Sequence, residues 1–405
     1  MATTQIAAQA APERGSPLEV LGAFLRLGLT AFGGPVAHLG YFREEFVTRR
    51  RWLDEATYAD LVALCQFLPG PASSQVGFGL GLLRAGPLGA LAAWTGFTLP
   101  SALLMVAAAY AATAMSGPLA QGLIHGLKLV AVAVVAQAVF GMARSLTPDA
   151  RRAGIALAAV AIVTFASAAI GQVAAIALGV VAGLMLCRAE VLETPTHRFP
   201  IPRRVGLAAL ALYLALLLGG PLVAAATGAP RLAWFDAFYR SGALVFGGGH
   251  VVLPLLKAAV VGPGWVSPDS FLAGYGAAQA MPGPLFTFAA YLGAAMGGPA
   301  GAAIGLVGIF LPGLLALTAA LPFWAQLRAR PSAQAALRGA NAAVVGILGA
   351  ALYNPVWTSA VLGPADFAQA LAGFVLLTAF RAPPILVVAL GAAAGVARAL
   401  WLGPA

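Results

Sequence analysis

Two long stretches without a charged residue, Ala153 to Cys187 and Val205 to Pro230, constrain this chain more than any other feature. A helix needs about 20 consecutive apolar residues to cross a bilayer, and each stretch exceeds that. The rest of the chain agrees, with 61% hydrophobic and only 9% charged residues. A soluble surface takes roughly 25% charged residues to cover, so the solvent for this chain is the lipid bilayer. The net charge of +10 would suggest nucleic acid in a soluble protein. Here the basic residues gather in a few loops, which points to membrane topology and anionic headgroups, and no nucleic-acid partner is expected. Residues 1–15 hold Glu13 and Arg14 and lack an apolar core, so they read as a disordered tail rather than a secretory signal. The first helix starts at Ser16-Pro17-Leu18-Glu19: a serine cap, proline at the first helical position, and glutamate at the capping-box position. Cys65 and Cys187 sit in apolar segments and read as small buried hydrophobes.

The chain repeats itself. Phe24-Leu25-Arg26 leads to Phe32-Gly33-Gly34 as Phe238-Tyr239-Arg240 leads to Phe246-Gly247-Gly248. Trp52 precedes Gln66 and Pro69-Gly70-Pro71 as Trp265 precedes Gln279 and Pro282-Gly283-Pro284. Gly86-Pro87 leads to Pro100 as Gly298-Pro299 leads to Pro312. Ordered self-similarity of this kind marks a duplicated architecture. The expected organisation is a first repeat at 16–190, a connector at 191–233 holding one transmembrane helix, and a second repeat at 234–405.

Basic loops orient the repeats. Arg43, Arg49 to Arg51 and Arg84 flank the first Pro-Gly-Pro segment, and Arg144, Arg151 and Arg152 flank a later loop, whereas the loop at Ser116-Gly117-Pro118 is neutral. In the second repeat the pattern inverts: Arg328, Arg330 and Arg338 occupy the counterpart of the neutral loop, and the region of Asn354-Pro355 has no basic residue. Positive loops stay cytoplasmic, so the expected fold is an all-α polytopic membrane protein of two inverted homologous repeats. Segment 56–83 then enters and leaves on one side, as a helix broken at Pro69-Gly70-Pro71 and folded into a re-entrant hairpin. About nine full crossings result. Paired broken helices in matching positions of two halves are the best sequence pointer to a transporter's binding site.

The candidate site residues follow from these breaks. After Pro71, a new helix exposes free N–H groups and a positive dipole end, which suits an anion. Ser73, Ser74 and Gln75 add donors there, and Thr287 stands in register with Ser74. The competing reading is a plain proline kink. Gly33, Gly34, Gly247 and Gly248 either admit backbone to a cavity or allow tight helix packing. Gln66 and Gln279 each precede a Pro-Gly-Pro break and line the cavity or bond the broken backbone. Arg26 and Arg240 are equivalent basic residues in apolar segments, functional by default in a membrane, with snorkelling as the alternative. Lys257 has no repeat partner, and Arg84 reads as a topology anchor. His38 and His250 are packing residues or proton carriers. Glu44 and Glu45 read as partners for Arg49 to Arg51, and Asp54 and Ser267 as helix caps.

These motifs resemble the chromate ion transporter family in its long, two-domain form. The resemblance rests on Phe32-Gly33-Gly34-Pro35, Gln66-Phe67-Leu68-Pro69-Gly70-Pro71, Phe246-Gly247-Gly248-Gly249-His250 and Gln279-Ala280-Met281-Pro282-Gly283-Pro284, and covers nearly the whole chain. It implies a secondary transporter in a bacterial inner membrane that exports chromate from the cytoplasm and confers chromate resistance, with sulfate as a competing ligand. The alternatives of the same architecture are an anion channel and a sulfate-type uptake transporter. The chain has no zinc-protease His-Glu-x-x-His and no paired intramembrane aspartates, so it is not read as an enzyme, and no cofactor or metal is expected. The expected partners are the oxyanion, the bilayer and, as a candidate assembly, a second copy in a homodimer.

Overall fold

The computed structural model describes residues 15–402 apart from 33, 115–116, 167, 188–200, 247–248, 325 and 327–329. It is all-helical, with no strand among the described residues. Six of its helices are long and apolar enough to cross a membrane. The protein is thus an all-α, polytopic membrane protein.

Helix length sorts the elements into spans and half-spans. At 1.5 Å per residue, α5 (Pro118–Leu146, 29 residues) and α8 (Arg203–Thr227, 25 residues) exceed the hydrocarbon core of about 30 Å. By contrast α1 (Pro17–Thr30, 14 residues), α3 (Glu55–Phe67, 13 residues), α9 (Pro230–Ala243, 14 residues) and α11 (Pro268–Ala278, 11 residues) fall short of it. Each short helix ends at a break and folds back on the next one. Helix α1 returns as α2 (Gly34–Phe42) and a π-helical turn, Arg43–Arg49. Phe24 on α1 stacks on Phe46 at 4.8 Å and meets Phe42 edge-on at 5.5 Å. Helix α3 returns as the first arm of α4 (Ala72–Ala114), where a Cβ on Gly79 would lie 2.8 Å from Leu61. The bases of both hairpins share one end. There Glu19 pairs with Arg84 at 3.2 Å and accepts from the Trp52 indole at 3.1 Å. Ser16 caps α1, accepting from Glu19 N–H at 3.1 Å. Asp54 and Ser267 cap α3 and α11.

Helix α4 is not one rod. At Ala85 and Gly86 the backbone leaves helical geometry, with Gly86 at φ +67°, and the chain reverses. Gly81 and Gly89 pack across the reversal so closely that a Cβ on either would sit 2.3 Å from the other's carbonyl oxygen. The same reversal divides α12 (Phe288–Ala320) at Gly297 and Gly298, with Gly293 against Gly301. Only glycine permits this approach, and the positive φ of Gly86 and Gly298 excludes most other residues from the turn.

The remaining helices interlock the two parts of the chain. These are α6 (Ala150–Phe165), α7 (Ala168–Leu186), α10 (Val252–Leu256) with its π-helical continuation, α13 (Pro331–Ala351), α14 (Pro364–Thr378) and α15 (Pro384–Leu402). Helix α5 packs on α14 and α15, and α13 packs on α6 and α7. A Cβ on Gly126 of α5 would lie 2.3 Å from Gly391 O of α15, and one on Gly339 of α13 would lie 2.0 Å from Gly179 O of α7. Lipid is as apolar as leucine, so close packing of small residues supplies the attraction that hydrophobicity supplies in water.

Candidate functional site

The two Pro-Gly-Pro breaks meet in the middle of the molecule through exchanged contacts. Gly70 N–H donates to Val245 O at 2.8 Å, and Gly283 N–H donates to Ala31 O at 2.9 Å. Ala31 and Val245 each immediately precede a Phe-Gly-Gly break, so each prolyl tip is tied to the glycine tip of the other half. Gly70 and Gly283 carry φ of +118° and +87°. Gly70 rests on Gly313 and Gly283 on Phe97 and Ser101. Both amides are therefore committed to holding the breaks together and are not free to bind a ligand.

Side chains complete the crossing. Gln75 Nε2 donates to Pro69 O at 2.9 Å and Gly313 O at 2.8 Å, which pins the first break to the second part of α12. Thr287 bonds Ser101 at 2.8 Å and donates to Pro284 O at 2.8 Å, so Ser101 donates to Thr287. His38 lies between Ala31 O (Nε2, 3.2 Å) and Ser73 Oγ (Nδ1, 3.4 Å). A carbonyl can only accept, so Nε2 carries the proton and, in the neutral ring, Nδ1 accepts from Ser73. Ser74 Oγ and Gln75 Oε1 are buried and find no protein partner. A buried hydroxyl without a partner costs about 1–3 kcal/mol, unless a ligand or water satisfies it.

Beside this crossing is a cavity of about 300 Å³. Its walls include Gly34, Gln279 and Gly283 from the sequence-derived set, together with His250, Gln137 and Arg381. His250 Nδ1 bonds Tyr275 Oη at 2.6 Å, leaving Nε2 for other partners. The other expected residues are placed elsewhere. Arg26 is exposed on α1, and Arg240 is half-exposed and faces Asp236 at 3.8 Å. Neither lines the cavity. Gln66 is exposed near the end of α3. Gly33, Gly247 and Gly248 lie outside the described residues.

Two groups of residues have no counterpart in the sequence reading. One is Gln137 and Arg381 in the cavity wall. The other is a buried ionic cluster in which Asp366, fully buried, pairs with His125 at 2.8 Å and with Arg398, and accepts from Leu362 N–H at 2.9 Å. Lys128, one turn beyond His125 on α5, meets the exposed Asp269 at the start of α11 at 2.6 Å. The available signal was a lone acid and a lone base inside apolar helices, which in a membrane seek each other. Outside the spanning segments, Asp149 caps α6, and the amide and guanidinium of Arg152 hold its carboxyl below the usual range.

Comparison with known proteins agrees with this architecture. The profile of the chromate transporter family matches twice, over residues 18–186 and 232–396. A chromate transport protein of Pseudomonas aeruginosa is 33% identical over 358 residues, covering 86% of this chain and 83% of that protein. A probable chromate transport protein of Synechococcus elongatus is 27% identical over 92% of this chain and 93% of its own length. A chromate transport protein of Cupriavidus metallidurans is 27% identical over 80% of this chain and 79% of its own. No solved structure matches. On this evidence, together with the paired breaks and their exchanged contacts, the chain belongs to the chromate transporter family.

Proposed function

We propose that this protein is a secondary transporter that exports chromate, or a similar tetrahedral oxyanion such as sulfate, across the bacterial inner membrane. The observation that carries this reading is the reciprocal pair of hydrogen bonds, Gly70 to Val245 and Gly283 to Ala31. It brings four helix breaks together beside a polar cavity. Irregular backbone at membrane depth is tolerated where it is buried in protein or lines such a cavity. The names of the relatives supply the substrate class. The substrate-facing set is proposed to be Gly34 and Gln279 in the cavity wall with Ser74 at the neighbouring tip, and Gly70, Ser73, Gln75, Gly283 and Thr287 hold the tips in register.

Inverted repeats fit the connectivity. The second arm of α4, α5 and α8 are long enough to cross and separate the base of the first hairpin pair from that of the second, with the shorter α6 and α7 packed as a pair between them, and an odd number of crossings reverses sidedness. The first base carries Arg43, Arg49, Arg50, Arg51 and Arg84, which supports a cytoplasmic location. Radiolabelled chromate flux into proteoliposomes, with sulfate and molybdate as competitors, tests the function. Saturable flux with counterflow is expected. A non-saturating conductance would instead favour an anion channel, and no oxyanion flux at all would refute the proposal.

A further inference from the structure

We propose that Arg381 is the substrate-receiving cation of the cavity, with Gln137 as a neutral donor in the same wall. The assignment rests on the oxyanion-transport reading above and gives it a charged contact that the repeat motifs lack.

Three observations converge on Arg381. It lines the cavity together with Gly34, Gln279, Gly283 and His250. It has φ +53°, one of two non-glycine residues with positive φ among the described residues. Helix α14 ends at Thr378, and beyond its cap Ala382 N–H donates to Leu376 O at 2.9 Å across the turn that holds Arg381. A left-handed position is usually glycine, because a Cβ there is strained. Arg51 shares this backbone, with φ +51° and Trp52 N–H donating to Phe46 O at 2.7 Å, so it is the cavity that distinguishes Arg381. The third observation is charge. Arg43 pairs with Glu55, Arg84 with Glu19, Arg152 with Asp149 and Arg398 with Asp366. Among the described residues no carboxylate pairs with Arg381.

The chemistry fits a tetrahedral dianion. A guanidinium presents parallel N–H donors that match two oxygens of one anion, and such charge-assisted bonds are roughly twice as strong as neutral ones. Pro384, in the same wall, opens α15, whose positive dipole end adds to the field. Arg381 is exposed, so it meets an incoming anion before the tips do. A topology residue such as Arg51 shares the left-handed backbone but does not line the cavity.

The test compares Arg381→Gly, Arg381→Lys and Gln137→Leu with wild type in proteoliposomes, reading the chromate KM, the maximal rate and thermal unfolding. Glycine relieves the left-handed strain, so Arg381→Gly should unfold at the same or a higher temperature while its KM rises about 10-fold to 100-fold, the span of a lost charged hydrogen bond. Arg381→Lys keeps the charge and loses the fork, and should fall between the two. Gln137→Leu should raise KM by less than Arg381→Gly does. Saturable wild-type flux with an unchanged KM in Arg381→Gly would overturn the assignment and leave the transport reading standing. Absence of oxyanion flux in the wild-type protein would overturn both.

Discussion

Gly70→Ala tests the crossing directly. A Cβ on Gly70 would lie 2.7 Å from Gly313 Cα, and a backbone atom cannot rotate away as a side-chain tip can. The φ of +118° is itself unfavourable for alanine, at about 1–3 kcal/mol for such backbone. Relieving either problem moves the Gly70 N–H away from Val245 O, and a buried donor left without its partner costs about 1–3 kcal/mol. These costs overlap, because one shift relieves several, so a loss of about 3 kcal/mol is expected. Gly228→Ala is the control. Gly228 caps α8 at φ +62°, and a Cβ there meets nothing within 4 Å, so it registers backbone strain alone, about 1 kcal/mol. Gly283→Ala falls between them, since its nearest neighbours, Phe97 O and Ser101 Cβ, lie at 3.1 and 3.2 Å. Denaturant titration in mild detergent gives the order of stability, and chromate flux gives the functional effect. If Gly70→Ala is no more destabilising than Gly228→Ala, the exchanged hydrogen bonds do not hold the halves together and the reasoning fails.

Four other outcomes are expected. Single cysteines at Thr48 and Ser332, in a background lacking Cys65 and Cys187, should resist impermeant thiol reagents in intact cells; labelling of either would exclude the inverted arrangement. The triple variant Ser73→Ala, Ser74→Ala, Thr287→Ala should insert normally but bind chromate more weakly, the Ser74 donor contributing about 0.5–1.5 kcal/mol and Ser73 and Thr287 acting through the shape of the tips; unchanged KM and rate would remove the hydroxyls from the site. Arg26→Lys and Arg240→Lys should retain flux, because both side chains are exposed away from the cavity and lysine snorkels as well as arginine; a severe loss of rate would return them to the substrate path. Asp366→Asn should lower the unfolding temperature by removing the acceptor shared by His125 and Arg398, near the low end of the roughly 3–5 kcal/mol for breaking a buried pair because Arg398 is partly exposed; an unchanged transition would mean that the cluster contributes no stability.

The hairpins were legible because proline and glycine punctuate the sequence at fixed spacing and each chemical reason is local. A helix that stops at Leu68 and restarts after Pro71 needs only the residues at the break. The exchanged contacts were not legible, since Gly70 meets Val245 and Gly283 meets Ala31 from opposite halves of the chain, and no local pattern encodes the pairing. Arg26 drew attention because its segment is apolar, yet the helical period holds a correction. Leu18, Leu25 and Leu29 are exposed on the same stripe as Arg26, while Val20, Ala23, Phe24 and Leu27 form the packed one. Arg381 was passed over for the opposite reason. A single arginine between two apolar helices looks like an ordinary loop residue, and only its place in the cavity wall sets it apart.

The proposed direction of transport also accounts for the scarcity of fixed charge around the crossing. A dianion leaving a negative interior gains about 2.3 kcal/mol per charge for each 100 mV, so export down the potential needs no coupled ion. What the protein must supply is a site that strips water from the anion and then lets it go. Several arginines at the centre would hold a dianion too tightly for release. In the arrangement proposed above, neutral side chains at the tips would bind it weakly, and the cation at the rim would raise its local concentration before it enters. Ser74, buried with no protein partner, fits that division: its hydroxyl can meet a bound oxygen without adding a charge that would trap it.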